Sequence, residues 1–235
     1  MEKDKNTPKG DFKESFYNLQ TGDEIFNKHF DLNDLKYIKV KPLDKGAGQY
    51  NPREKIIEIS SRELLVSSQI SKMTFLFLIP SIHLNKALQK IYVRQTLSEI
   101  EIYGFHVFVH EHTHHLQSFE PLTKRLLDET YKVFEGFTEI EARKRTIAFL
   151  EEVYKNVKNN PNFREITNNS FGYPDEVRRL NSFIKEIGDP KIGDLFTIET
   201  RKKGFNPHNS KELLLTILNR NGEKFVINDI EKIFE

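Results

Sequence analysis

The hydrophobic pattern changes period several times along the chain. Residues 1 to 14 are polar and charged with one Pro and one Gly, offer little apolar surface to bury, and are expected to form a flexible tail. Leu35-Lys36-Tyr37-Ile38-Lys39-Val40 and Lys55-Ile56-Ile57-Glu58-Ile59 are β-forming runs with partial alternation. Turn residues lie between them (Gly46-Ala47-Gly48, Asn51-Pro52), so the simplest expectation is an antiparallel strand pair. Ser60-Ser61-Arg62-Glu63 reads as a helix N-terminus leading into Leu64-Leu65-Val66. Met73 to Ile82 fits a buried strand or an internal helix, with a break near Pro80, and Leu84 to Leu97 has helical spacing.

Glu99-Ile100-Glu101-Ile102-Tyr103 alternates like a strand, yet equally continues into the next stretch as helix. From Phe105 the apolar residues Val107, Phe108 and Leu116 surround a set of histidines, as in a helix buried on most sides. Pro121 marks a boundary, and a second long helical stripe runs from about Leu122 to Val157. After a polar, Asn-rich region, Pro174 to Ile187 reads as a helix with Gly188 just past its end. The remainder predicts a short strand (Leu195 to Ile198), a helix (Ser210 to Leu218) and a closing strand or helix from Phe225. The expected class is α+β: a small, mostly antiparallel sheet against two central helices, with a mostly helical C-terminal half.

Composition narrows the chemistry. Lys and Arg total 36 against 35 Asp and Glu, a net charge of +1, which gives no footprint for nucleic acid or an anionic membrane. Cysteine is absent, leaving His, Asp and Glu as metal ligands. The charged start lacks the apolar run of a signal peptide and no apolar stretch is long enough to span a bilayer, so the expectation is a cytoplasmic protein. With 19 Phe and no Trp, the core is expected to be built from Phe, Ile and Leu.

The candidate chemistry lies in His110-Glu111-His112-Thr113-His114, which matches the zinc-hydrolase pattern H-E-x-x-H. On a helix, positions i and i+4 share a face, so His110 and His114 converge on one ion, while Glu111 stands beside it as general base. A catalytic zinc needs a third protein ligand. The metzincin continuation requires Gly at 117 and His at 120, where this chain has Gln117 and Glu120; the inverted H-x-x-E-H and an Asp-containing G-T-x-D are absent. The remaining option is a glutamate on the following helix, in Phe134-Glu135-Gly136-Phe137-Thr138-Glu139, with twenty residues between His114 and Glu135.

In these residues the chain resembles the gluzincins, and in particular the small minigluzincin-like metallopeptidases, over about residues 35 to 187. The resemblance implies a zincin-like catalytic domain (residues 15 to 188) with Zn2+ held by His110, His114 and Glu135, and hydrolysis of peptide or protein substrates. Glu139, one turn on, is a supporting residue, or the ligand itself if the register differs; Glu141 faces elsewhere. Tyr173 is the candidate for stabilising the oxyanion, a role filled in gluzincin-like enzymes by a Tyr or His from this later region. His106, one turn before His110, is read first as a packed, hydrogen-bonded histidine, with orienting the site as the alternative, while His112 and His115 lie off the metal face. Residues 189 to 235 are expected to form an extension packed on the catalytic domain, walling or plugging the cleft in a self-inhibitory manner. The competing reading is a metal-binding regulatory or interaction protein that keeps the scaffold without proteolysis.

Overall fold

The structure, a computed structural model, describes residues 12–32, 35, 37–66, 76–117, 128–157, 161–169, 173–220 and 225–233. Most of the expected N-terminal tail falls outside these, but Phe12 already begins helix α1 (Phe12–Gly22). Helix α2 (Glu24–His29) follows, capped by Asp23, whose carboxylate accepts the Phe26 N–H at 3.0 Å.

Strands β1 (Tyr37–Lys41), β2 (Gly48–Asn51) and β3 (Ile56–Ser60) form one sheet in the order β1-β3-β2. The hairpin joins β2 to β3 through the Pro52–Lys55 turn, where Asn51 Oδ1 accepts the Arg53 and Glu54 N–H groups. That corrects the expected pairing: β1 runs parallel to β3, because the Gly46 turn starts another strand and pushes β1 to the far side of β3. The sheet is therefore mixed. Ser60-Ser61-Arg62-Glu63 does not open a helix either; Ser60 Oγ accepts the Arg62 N–H in a local turn, and β4 (Leu64–Val66) pairs antiparallel with β5 (Leu76–Leu78).

Pro80 begins a helix where the sequence suggested a break. It occupies the first turn of α3 (Pro80–Tyr92), a position where its missing N–H costs nothing. That helix stops short of the expected Leu97, as Arg94 turns into the left-handed region at φ 58°. Helix α4 (Glu99–Leu116) absorbs the ambiguous alternation of residues 99–103, and a capping box fixes its start: the Ser98 N–H donates to Glu101 Oε2 at 2.7 Å. Gly104 lets α3 and α4 cross closely, since a Cβ there would sit 2.5 Å from the Leu84 nitrogen.

Helix α5 (Asp128–Tyr154) is the second long helix, with Leu122 to Leu127 of the expected stripe outside the described residues. It divides two cores. On one side Phe26, Phe30, Phe105, Phe108 and Phe149 pack with Ile57, Ile59 and Leu88. On the other, Val133 and Phe137 meet residues from α7 (Pro174–Ile187), α8 (Ile192–Thr200) and α9 (Ser210–Arg220), after the short α6 (Phe163–Asn169). Leu195 to Ile198 is thus helix and not strand: Ile192 and Phe196, four apart, are buried, with Phe196 stacked 4.2 Å from Phe137, while Leu195 and Ile198 are exposed. Helix α10 (Ile227–Lys232) closes the described chain. Among the described residues no helix is long and apolar enough to cross a membrane.

Candidate metal centre

Helix α4 is buried on nearly all sides from Glu101 to His114, which takes the pentad out of water. The rings of His110 and His114, one turn apart, meet edge to face at 4.9 Å between centroids. From α5, Glu135 reaches across so that its Oε2 lies 3.2 Å from both Nε2 atoms. These three ligand atoms lie within 4.8 Å of one another, and all three residues are buried. The predicted triad is brought together. Glu139 is also there, but on the other edge of His110.

The remaining ring nitrogens are tied down. Glu139 Oε2 lies 2.9 Å from His110 Nδ1, and its Oε1 accepts Arg143 Nε at 2.7 Å. His106 Nε2 donates to the same carboxylate, 3.0 Å from Oε1, with Nδ1 3.0 Å from the Thr146 hydroxyl. On His114, Nδ1 lies 3.0 Å from Gln117 Oε1. A neutral imidazole carries one N–H, and here each has an acceptor at Nδ1. Each Nε2 then faces Glu135 Oε2 at 3.2 Å, contacts bridged by a ring proton when no metal is bound and suited to being bridged by one cation instead. A second grouping, His106, His110 and Glu139, also has metal-ligand spacing, but the Arg143 guanidinium already neutralises that carboxylate.

The fields agree. Burial presses the His110 pKa down, but the hydrogen bonds its ring donates to Glu135 and Glu139 outweigh it and hold the ring well above its ordinary value. Burial works to raise Glu135, yet His114 and His110 pull it down to about 2. Glu139 is likewise held far below the carboxylate range, against burial, by His106 and His110. The pocket asks for positive charge.

Glu111 projects beside the triad. Burial raises its pKa, opposed by the two histidines and by the Tyr50 N–H, which donates to its carboxylate. Two cavities of about 260 Å³ each meet at Gly48, His110, Glu111 and Tyr173; one extends over Val107 and Tyr103, the other over Tyr50, Phe134 and Tyr131. Among the described residues none after Gly188 lines either cavity, and the described part of the C-terminal segment packs in the second core.

Tyr173 stands at the mouth in the left-handed region (φ 53°, ψ 45°), just before Pro174. Its ring stacks on His110 at 5.8 Å, and its hydroxyl lies 2.7 Å from that of Tyr131. Burial, with the nearby Glu135 charge, drives its pKa upward, so the phenol keeps its proton. Tyr131 was not singled out by sequence, although its place one turn before Glu135 is a readable signal. Gln117, Thr138 and Arg143 were missed as supports because each acts through another side chain.

The other histidines face away. His112 Nε2 donates to the Asp31 carbonyl at 3.0 Å while Nδ1 accepts Arg145 Nη2, and burial with that guanidinium pushes its pKa down to about 3. His115 Nδ1 lies 3.1 Å from the Tyr50 hydroxyl. Glu141 pairs with Arg201, away from the centre. Compared with protein-family models, curated proteins and solved structures, the chain matches none.

Proposed function

We propose that the chain is a zinc-dependent peptidase built on a zincin-like domain, with His110, His114 and Glu135 as ligands and Glu111 as general base. The observation that carries this reading is the meeting of two Nε2 atoms and one carboxylate oxygen in a buried pocket, with the opposite ring edges occupied by acceptors. Two imidazoles and a carboxylate, with a neighbouring carboxylate left outside the set, is a donor pattern suited to catalytic zinc.

A bound zinc ion supplies Lewis acidity and a water that loses its proton near neutral pH. Glu111, made more basic by burial, takes the proton of the attacking water and passes it to the departing amine. Tyr173, protonated and stacked on His110, donates a hydrogen bond to the carbonyl oxygen as it gains negative charge. A peptide substrate is favoured by the cleft extending to both sides of Glu111, bordered by the edge strand β2, since a chain can pass through with the scissile bond at the centre.

The test is cleavage of a peptide library, read by mass spectrometry, with zinc-loaded wild-type protein and with Glu111→Gln. Chelator-sensitive cleavage that disappears in Glu111→Gln while zinc is retained supports the assignment. Undiminished cleavage by the variant overturns it, and zinc binding without any cleavage by the wild type favours a non-proteolytic metal-binding protein.

A further inference from the structure

The two ligand histidines are held by different devices. For His110 the acceptor is a carboxylate, Glu139, itself compensated by Arg143. For His114 it is a neutral amide, and the direction of that amide is set one step further out. Thr138 has a single hydroxyl proton. Its Oγ1 lies 2.9 Å from the Phe134 carbonyl one turn back on α5 and 3.3 Å from Gln117 Oε1, so the proton goes to the nearer carbonyl, and the same oxygen accepts Gln117 Nε2 at 2.9 Å. With the amide nitrogen so committed, Gln117 presents Oε1 to His114 Nδ1. That ring edge then carries an N–H, and Nε2, 3.2 Å from Glu135 Oε2, is the nitrogen that ligates once a cation displaces the proton it shares with that carboxylate. Both residues are buried, Gln117 at 3% exposure and Thr138 at 0%, so water does not replace a lost partner cheaply.

We propose that Gln117 and Thr138 are positioning residues that lock His114 in the tautomer needed for metal ligation, a relay running from the Phe134 carbonyl through Thr138 and Gln117 to the imidazole. Its consequence for metal affinity rests on the metal-centre reading above. The relay couples α5, which supplies Glu135, to the C-terminal end of α4, which supplies His114, so the ligand helices are registered by the residues that orient the ring. The use of an amide also leaves His114 without an added negative charge beside it.

The test uses zinc alone as probe, with competition against a chromophoric chelator, and 15N chemical shifts of the His114 ring in metal-free protein carrying Glu135→Ala, where no carboxylate competes for the Nε2 proton, under conditions where the ring is neutral. In that background, with Gln117 and Thr138 intact, the ring is expected to show the proton on Nδ1. Thr138→Val, nearly isosteric, and Gln117→Leu should shift the population toward protonated Nε2 and weaken zinc on the order of 10- to 100-fold. Gln117→Glu, which still accepts from Nδ1, should stay within about threefold of wild type, on the same second-shell logic. If Gln117→Leu and Thr138→Val fold and bind zinc as tightly as wild type, or the ring in the Glu135→Ala background with Gln117 and Thr138 intact is protonated at Nε2, the relay is wrong. A wild type that binds no zinc, while His114 in that background shows the Nδ1 proton, overturns the metal reading instead and leaves the relay standing.

Discussion

Gly48 bears directly on Glu111: a Cβ at position 48 would stand 2.8 Å from the Glu111 Cγ and 3.0 Å from its Oε1. Strand β2 therefore reaches the carboxylate only because residue 48 has no side chain, and from that strand the Tyr50 N–H holds it. Gly48→Ala is expected to displace Glu111 while leaving the ligand triad in place. Zinc content should be unchanged and kcat/KM should fall on the order of 100-fold, the usual cost of misplacing a reacting group by about 1 Å. Parallel zinc analysis and peptide kinetics check this; an alanine variant with wild-type kcat/KM would show that the contact is slack.

Glu139 joins His106, His110 and Arg143 in one buried network. Glu139→Gln leaves the Arg143 guanidinium without its buried counter-charge and His110 with a weaker acceptor. Loss of one partner from such a pair costs about 3–5 kcal/mol, and zinc should bind roughly 10- to 100-fold more weakly. Denaturant unfolding with and without zinc reads both effects separately, and a glutamine variant of unchanged stability would contradict the network.

At the start of α4, Glu101 is held between the Ser98 N–H and the Lys90 ammonium, 2.8 Å away. Burial opposes ionisation, but Lys90 and Ser98 outweigh it and keep the carboxyl below its ordinary range. A depressed folded-state pKa stabilises the fold fully above the unfolded value, about 4.3, and that contribution is lost as pH falls through the folded value. Glu101→Gln should therefore lose about 1 kcal/mol at pH 7, with the gap to wild type closing on acidification below about pH 4. Thermal unfolding across that range measures it; a gap independent of pH would mean the charge contributes nothing.

The segment after Gly188 is bound to α5 by Phe196 against Phe137. Phe196→Ala should destabilise by about 3–5 kcal/mol, and truncation near Asp189 should yield insoluble protein, because the apolar face of α5 loses its cover. A soluble truncated chain with a wild-type unfolding temperature would show that the second core is dispensable.

What could be read in advance follows physical lines. The histidine pentad and the turn-spaced glutamates were legible because helical geometry alone brings i and i+4 together, and the Gly188 stop held because its φ of 77° suits glycine. The sheet order was not legible, since the strand runs are similar in composition and only the Asn51 turn, not the spacing, sets which pair forms the hairpin. Leu195 to Ile198 misled because four residues of mixed β-branched and aromatic type say strand locally, while the pairing of Ile192 and Phe196 against Phe137 says helix. Relays such as Thr138 to Gln117 to His114 escape sequence reading because they depend on the packing of α4 on α5.

The central claim is that residues 110, 114 and 135 hold one metal ion. Elemental analysis of zinc-exposed, desalted protein tests it most directly, with His114→Ala, Glu135→Ala and Glu139→Gln alongside the wild type. The account predicts about one zinc per wild-type chain, loss of the metal in the first two variants, and retention with weakened affinity in the third. Zinc at wild-type stoichiometry and affinity in Glu135→Ala, or none in the wild type, would contradict it.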